Sequence, residues 1–248
     1  MTKSSISFGL VHIPVVLKPA VTAKDVEFNM IDRQTKSRVQ YQKTCVDCDG
    51  RIVKQEDIIR GYQYEKGEYV FFDDKDFEKL KTAKEKTIAI EKFVAIADIN
   101  PIYYEKAYYV TPEKGAETAF VLLLAAMGKE KKAGIARTVI GTKENLVCLH
   151  IDGGTMILNT MYFYDEVDER PSISAGKPPE QEMQLAKMII NNMTGQFNPK
   201  EYKDEYREKV LAAINSKIRG KEIIAMPKGK PVRVASLMDA LKKTLKAV

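Results

Sequence analysis

Short runs of β-prone residues separated by turns recur from residue 5 to residue 164 and restrict the folds that the chain can adopt. Tyr62–Phe72 is typical of two strands around the turn Glu65–Glu68, where a glycine permits the backbone angles of a tight hairpin. A second turn, Asp152–Gly154, separates the strand segments Leu146–Ile151 and Met156–Tyr164. Strands at this spacing favour a sheet built from hairpins.

Four more segments have strand character, and Pro14 restricts the first of them to a sheet edge or a bend. The segments are Ser5–Leu17, where Ile6, Phe8 and Leu10 alternate, Lys86–Ile99, Ile102–Val110 and Ile135–Ile140.

Two helices interrupt these strands. Asp73 is a suitable N-cap for a short helix over Asp76–Ala83. Pro112 opens a longer apolar helix that runs to about Met127, with Gly128 as its C-cap. Short strands around one long helix predict a mixed, β-dominated fold centred on a partly open β-barrel or a barrel-like sheet.

The chain changes character after residue 164. Asp165–Pro179 is charged and contains prolines, as is typical of a linker. Gln181–Met193 and Pro199–Arg219 have helical periodicity. Gly220–Pro231 is predicted to be a tether because it is rich in Lys, Gly and Pro, and Ala235–Ala247 to be a short amphipathic helix.

The net charge of +6 is concentrated at the C-terminal end. Nine Lys or Arg and two acidic residues lie from Ser216 to Val248, which leaves 31 basic and 32 acidic residues in the body. A basic tail on a nearly neutral body suggests a polyanionic partner such as nucleic acid, although a solvated surface explains it equally well. No run approaches the roughly 18 apolar residues of a membrane span, and no signal-peptide core is present, so we expect a cytoplasmic protein with no membrane partner.

The residues that could support catalysis are few. His12 and His150 both fall inside predicted strands, where structural roles are the more common. The chain contains no nucleophile elbow, no phosphate-binding loop and no dinucleotide fingerprint. We therefore expect neither an enzyme nor a cofactor.

Cys45 and Cys48 have the spacing of half a tetrahedral zinc site. Cys148 lies in a predicted strand and is expected to be a small buried apolar side chain, so a second thiol pair could come only from another copy of the chain. The alternatives to such a shared zinc site are a pair that ties off a loop and a pair that is simply unligated. Three cysteines also fit a reducing compartment.

Several of these segments together resemble the bacterial Ku family. The matching segments follow one another in the family's order from residue 5 to about residue 170, and that collinearity is more specific than any single motif. They are Ser5–Val15, Ile59–Glu65, Phe93-Val94 with Ile99–Tyr104, Gly134–Ala136 and Asp165–Val167.

This resemblance implies a homodimeric ring around the end of a double-stranded DNA. Residues 1–170 would form the Ku core barrel, and the segment from Thr35 to Arg60 would be an arm over the duplex, called the arm below. Residues 180–220 would form a helical region, and residues 221–248 a basic tether with a partner-docking helix. Binding would be independent of sequence and directed at phosphates, because a ring must pass over any broken end.

Lys36 and Arg38 are the leading predicted phosphate contacts. If the arm is a strand, they lie on one face with Gln40 and Gln42. The secondary candidates are other basic side chains of the arm and barrel, namely Lys18, Arg33, Lys43, Lys54, Arg60, Lys131, Lys132 and Arg137.

The family also implies recruitment of a multifunctional ATP-dependent DNA ligase of the ligase D type through its C-terminal region. The last predicted helix resembles the docking helix of the family. Leu237, Leu241 and Leu245 recur every four residues, which predicts an exposed apolar stripe, and Lys242 and Lys243 lie beside it.

Two other functions remain open at the level of sequence. A barrel-fold module that binds single-stranded nucleic acid would stack bases on tyrosines such as Tyr103-Tyr104 and Tyr108-Tyr109. A zinc-dependent assembly factor would depend on Cys45 and Cys48 and need no DNA.

Overall fold

The computed structural model describes residues 2–80, 87–140, 143–174, 176–222 and 236–247. The chain divides into two compact units, which are described separately. The first unit comprises Met1–Ala23 and Asn29–Glu169. The second comprises Lys24–Phe28 and Arg170–Val248. The end of the short helix predicted over Asp76–Ala83 and most of the predicted tether lie outside the described residues.

The first unit contains nine strands and two α-helices among its described residues. The strands are β1 (Thr2–Phe8), β2 (Val11–Pro19), β3 (Arg60–Glu65), β4 (Glu68–Phe72), β5 (Thr87–Ala95), β6 (Tyr104–Pro112), β7 (Lys132–Ile140), β8 (Lys143–Asp152) and β9 (Thr155–Met161). The helices are α1 (Asp74–Leu80) and α2 (Glu117–Glu130).

Seven of these strands form a closed barrel in the order β1-β2-β6-β9-β8-β7-β5, and β3 and β4 form a separate hairpin. The barrel closes where β1 and β5 pair in parallel, with Ile6 opposite Ile88. Beside that pair, the hydroxyl groups of Ser5 and Thr87 are 3.2 Å apart. The predicted β-dominated barrel is confirmed, but the prediction of a partly open one is wrong, since this pairing joins residues 82 positions apart.

The first predicted strand is in fact a hairpin. Gly9, with φ of +59°, and the fully exposed Leu10 form a turn between β1 and β2. β2 then pairs on both sides, with β1 and with β6, so the expectation that Pro14 restricts it to an edge or bend is wrong. The proline is tolerated because the β2–β6 ladder begins only at Val15, while its carbonyl accepts a bond from the N–H of Glu113.

The barrel has a dense core because alternate residues of each strand point inward. Ile6, Ile13, Val147, Leu149 and Leu158 are all fully buried in one cluster. The helix α2 adds one apolar face to this cluster, formed by Phe120, Leu123 and Met127. The opposite faces of β7 and β8 contribute to a smaller cluster around Ala133, Cys148 and Met161.

The predicted limits of the long helix are wrong at both ends. Pro112 ends β6, and the helix starts at Glu117. Gly128 lies inside the helix, which is terminated by Lys131 in the left-handed conformation, with φ of 51°. The left-handed position that usually favours a glycine is thus occupied by this lysine, so Gly128 does not act as a cap.

The second unit contains three α-helices among its described residues: α3 (Glu180–Met193), α4 (Glu205–Ile218) and α5 (Leu237–Ala247). The helix α4 begins after Asp204, whose carboxylate accepts a bond from the N–H of Arg207, rather than at Pro199. The helix α5 begins after Ser236 and lies against α3. No residue of α3 or α4 is buried, so these two helices have no core of their own. No helix of the described chain is both long and apolar enough to span a bilayer.

Candidate nucleic-acid interface

The arm is entered through a tight turn, Asp32–Ser37, called the entry turn below. The N–H and the hydroxyl of Thr35 both donate to the Asp32 carboxylate at 2.7 Å. These bonds hold the pKa of Asp32 below its ordinary value. Lys36 adopts the left-handed conformation, with φ of 57°, and its N–H donates to the Asp32 carbonyl at 3.0 Å. The lysine is therefore exposed at a fixed bend.

Arg38 immediately follows the entry turn. Its guanidinium donates to the Asn29 side-chain carbonyl, and its backbone forms an isolated bridge with Ile31. No continuous strand covers residues 36–42. The predicted common face of Lys36, Arg38, Gln40 and Gln42 is therefore wrong, because a left-handed residue interrupts the alternation that defines such a face.

A second tight loop, Lys43–Val53, is called the knuckle below. Cys45 and Cys48 form a disulfide within it. The chain then reverses through Asp49 and Gly50, with φ of 48° and 73°. The structure thus agrees with a pair that ties off a loop, and no group of three or more His, Cys, Asp or Glu suited to a metal is found in the described residues.

The arm has almost no buried side chains. From residue 35 to residue 60, Cys45 and Val53 are half-buried and every other residue is exposed. The neighbouring β3–β4 hairpin has the same character, since Tyr62 is 67% exposed and Phe71 is 62% exposed. Phe72 and Arg60 of this hairpin contact one ring of α1, that of Phe77, and a two-stranded hairpin with little packed against it is marginally stable in water. The arm and the hairpin therefore present surfaces that suit a macromolecular partner.

The candidate cations fall into two groups by their partners. Lys54 lies 3.6 Å from Glu56, Arg60 lies 3.5 Å from Asp74 and stacks over the Phe77 ring, and Arg137 lies 3.4 Å from Glu91. The other candidates make no acidic contact within the described residues. They are Lys18, Arg33, Lys36, Arg38, Lys43, Lys131 and Lys132.

The unpaired cations lie in three places. Arg33, Lys36 and Arg38 surround the entry turn, while Lys43 lies in the knuckle, where its ammonium donates to the Gln55 amide oxygen at 2.7 Å. The third set lies on the barrel, where Lys18 is separated from Lys131 and Lys132. Lys131 and Lys132 mark the α2–β7 junction.

Lys18 lies on β2 opposite Tyr109, and β1 and β5 separate β2 from β7, so the structure does not bring Lys18 next to Arg137. Sequence reasoning also left out Arg51, an exposed knuckle residue without an acidic partner in the described chain. Arg51 comes close to Lys43 only because the loop folds back on itself. In that fold the Val53 N–H donates to the Lys43 carbonyl.

The predicted docking helix is partly covered. Leu237 is 63% exposed, but Leu241 and Leu245 are half-buried, and α5 lies against α3. The predicted exposed leucine stripe is therefore exposed at Leu237 and half-buried at its other two leucines. Lys242 and Lys243 are exposed.

The two histidines and Cys148 are predicted to have structural roles, and each lies on a strand of the barrel. His150 shares a hydrogen bond of 2.9 Å with the Asn159 side chain across β8 and β9, and His12 is exposed on β2. Burial raises the pKa of the Cys148 thiol to about 11. Burial, together with the neighbouring Cys148, raises the pKa of Tyr104 to about 12. Cys148 is fully buried, as predicted.

Three of the four tyrosines considered for base stacking are half-buried in or beside the sheet. They are Tyr103, Tyr104 and Tyr108. A base needs an open ring face, so this part of the barrel is poorly suited to stacking.

Comparisons with known proteins agree with this architecture. Residues 7–186 match the family model described as "Ku70/Ku80 beta-barrel domain". A "Non-homologous end joining protein Ku" of Lachnoclostridium phytofermentans is 41% identical over 244 residues, covering 98% of this chain and 95% of the relative. A protein of the same name from Archaeoglobus fulgidus is 38% identical over 250 residues, covering 99% and 98%. A third, from Symbiobacterium thermophilum, is 37% identical over 252 residues, covering all of this chain and 62% of the relative. The similarity thus extends to an archaeal protein.

Proposed function

The chain belongs to the Ku family, and from that premise we propose that it binds the ends of double-stranded DNA in non-homologous end joining. Proteins of this family are DNA-end-binding scaffolds rather than enzymes. The observation that supports DNA binding by this chain is the set of exposed, unpaired cations on an arm with no core of its own. A protein with this role works beside chromosomal DNA, so we place it in the cytoplasm, at the nucleoid.

Contacts to phosphates suit this surface better than contacts to bases. The entry turn holds Lys36 at a fixed bend and positions Arg38 beside it, but no continuous helix or strand of the arm could enter a groove. Lys and Arg that neutralise phosphates bind every sequence, with an affinity that falls as salt is raised. Lys36 and Arg38 remain the leading contacts, Arg33, Lys43, Lys18, Lys131 and Lys132 come next, and the acid-paired Lys54, Arg60 and Arg137 rank below them.

A second copy of the chain would complete the binding site. The exposed aromatic side chains of the β3–β4 hairpin and the coreless arm need a covering surface, and a homodimer supplies one on both subunits at once. The arms of the two copies would then close a ring with the two barrels. In this arrangement residues 1–170, except for Lys24–Phe28 of the second unit, serve as the barrel and arm, and residues 180–220 serve as the helical region.

Residues 221–248 would form the basic tether and the helix that binds the ligase. We infer that α5 is released from α3 when a multifunctional ATP-dependent DNA ligase of the ligase D type binds, because two of its three leucines are half-buried in the free chain. Leu237, Lys242 and Lys243 are exposed and would make the first contacts.

A pair of variants separates ligase docking from helix packing. Leu237→Asp places a charge on an exposed position, whereas Leu241→Asp also disrupts the contact with α3. Both should abolish ligase stimulation and leave DNA binding intact. Stimulation that survives Leu237→Asp would contradict the docking role, and loss of DNA binding with Leu241→Asp would show that the helix is structural.

The DNA-binding proposal is tested by a gel shift with three probes of equal length: a linear duplex, a closed circular duplex and a single strand. A ring needs a free double-stranded end, so the linear duplex alone should shift. Preference for the single strand would favour a barrel-fold single-strand-binding protein instead. Zinc-dependent assembly without any shift would favour a zinc-dependent assembly factor.

A further inference from the structure

The disulfide of the knuckle lies where no hydrophobic core supports the chain. Cys45 and Cys48 are separated by two residues, with Cα atoms 5.3 Å apart, and the intervening Val46 is 92% exposed. The opposite side of the loop contains Ile52, which is also exposed. Burial therefore contributes little to the conformation of this loop.

Three backbone hydrogen bonds hold the knuckle in addition to the disulfide. The N–H of Cys45 donates to the Arg51 carbonyl, and the N–H of Arg51 donates to the Cys48 carbonyl, each at 2.9 Å. The N–H of Val53 donates to the Lys43 carbonyl, also at 2.9 Å. Solvent-exposed bonds of this kind open readily when nothing packs over them. The covalent link joins the same residues that make two of the three bonds.

We propose that Cys45 and Cys48 form a reversible dithiol–disulfide site that orders the knuckle, and that its oxidised form prolongs the residence of the protein on DNA. The second half of this proposal rests on the proposed function. Lys43 and Arg51 lie on the two sides of the loop. A loop that is already ordered loses less conformational entropy when these cations bind phosphates.

The chemistry is a two-electron thiol–disulfide exchange with a small-molecule disulfide as the oxidant. The thiolate of one cysteine attacks the oxidant, which forms a mixed disulfide and releases one thiol. The thiolate of the other cysteine then displaces the second thiol and closes the protein disulfide. Two protein thiols are oxidised, the small disulfide is reduced to two thiols, and the two protein protons end on those thiols.

The compartment makes this exchange reversible. A DNA-binding protein works in the reducing interior of a cell, where disulfides are mostly transient or redox-sensing. The third cysteine, Cys148, is fully buried in the barrel and serves as an internal control, because a small reagent cannot reach it in the folded protein.

The test uses the full-length protein equilibrated in buffers with different ratios of a small thiol to its disulfide. Alkylation followed by intact mass should add two groups in the reduced form and none in the oxidised form. Trypsin cleavage after Arg51 should be at least about tenfold faster in the reduced form, since a disulfide restricts the open states of the loop. The Cys45→Ser, Cys48→Ser double variant should behave as the reduced form in every buffer.

The same samples are then bound to a linear duplex, and dissociation is followed after adding unlabelled competitor. The oxidised protein should dissociate several times more slowly than the reduced protein, and the double variant should not respond to the buffer. Alkylation of both cysteines in oxidising buffer, or equal cleavage in both forms, would overturn the site. Equal dissociation would overturn its effect on residence. If neither form binds DNA, the proposed function and the residence effect fail together, while mass and cleavage still decide the redox site.

Discussion

The barrel and the arm are held in shape by different forces. In the barrel, residues such as Ile13, Leu149 and Leu158 are completely buried, and every strand pairs on both sides. In the arm, two tight turns, a disulfide and a few exposed hydrogen bonds define the conformation. A shared hydrophobic core therefore stabilises the barrel, whereas local hydrogen bonds and a disulfide hold the arm, which has no core. A stable barrel beside an arm without a core suits the proposed role of closing over a DNA end.

The largest expected difference between the two regions is in the cost of truncating a side chain. Leu149→Ala leaves a cavity in the barrel core and should lower the free energy of unfolding by about 2–5 kcal/mol. Val46→Ala, in the exposed knuckle, should change it by less than about 0.5 kcal/mol. Urea denaturation of both variants measures this. Similar losses from the two would show that the arm has a core after all.

Alkaline pH should destabilise the barrel. In the folded barrel the pKa of Cys148 is about 11 and the pKa of Tyr104 is about 12. In the unfolded chain the two groups have their ordinary pKa values of 9.0 and 10.0. The contribution of these two protonated groups to the free energy of unfolding is complete below pH 9. It is lost as the pH rises through their pKa values in the folded state. For Cys148 the loss is about 2 kcal/mol by pH 11.

Denaturation at pH 8 and pH 11 checks this, with Cys148→Ala as the control that should flatten part of the decline. The entry turn should instead lose stability at acidic pH. Because the pKa of Asp32 is lowered by bonds from Thr35, its contribution is present above the ordinary carboxyl pKa and is lost as the pH falls. An unchanged barrel stability at pH 11 would show that these two groups are solvated.

The smallest predicted effect compares unpaired cations of the arm with paired ones. The double change Lys36→Gln, Arg38→Gln should lower the slope of log affinity against log salt by about one unit for each phosphate that the protein no longer neutralises. The double change Lys54→Gln, Arg137→Gln alters the net charge equally but removes side chains that already contact Glu56 and Glu91, so the slope should change little. Equal effects would mean that overall charge, rather than the entry turn, governs binding.

Local features of the fold could be predicted from sequence, and long-range ones could not. The β3–β4 hairpin and the Asp152–Gly154 turn are confirmed, because glycine and the flanking β-prone residues define each of them locally. The first hairpin could not be predicted in this way, since the alternation of Ile6, Phe8 and Leu10 continues through the Gly9 turn. Parallel closure of β1 on β5 leaves no local pattern at all.

The candidate site shows the same limit. Basic residues can be counted in a sequence, but their ion-pair partners are set by folding, as with Arg60 and Asp74. The left-handed bend at Lys36 depends on the Asp32–Thr35 bonds, which a strand-like interpretation of the arm does not include. The leucine repeat of α5 correctly predicts one face of a helix. That α3 partly covers this face could not be predicted, because the two helices are far apart in sequence.

Blocking the ends of the DNA decides whether the chain forms a ring that loads over them. One linear duplex is given bulky groups at both ends before the protein is added, and an identical duplex is blocked only after binding. A ring should fail to load on the first and should remain on the second through a challenge with high salt and competitor DNA. Equal binding to both duplexes, with equal loss under the challenge, would contradict loading as a ring.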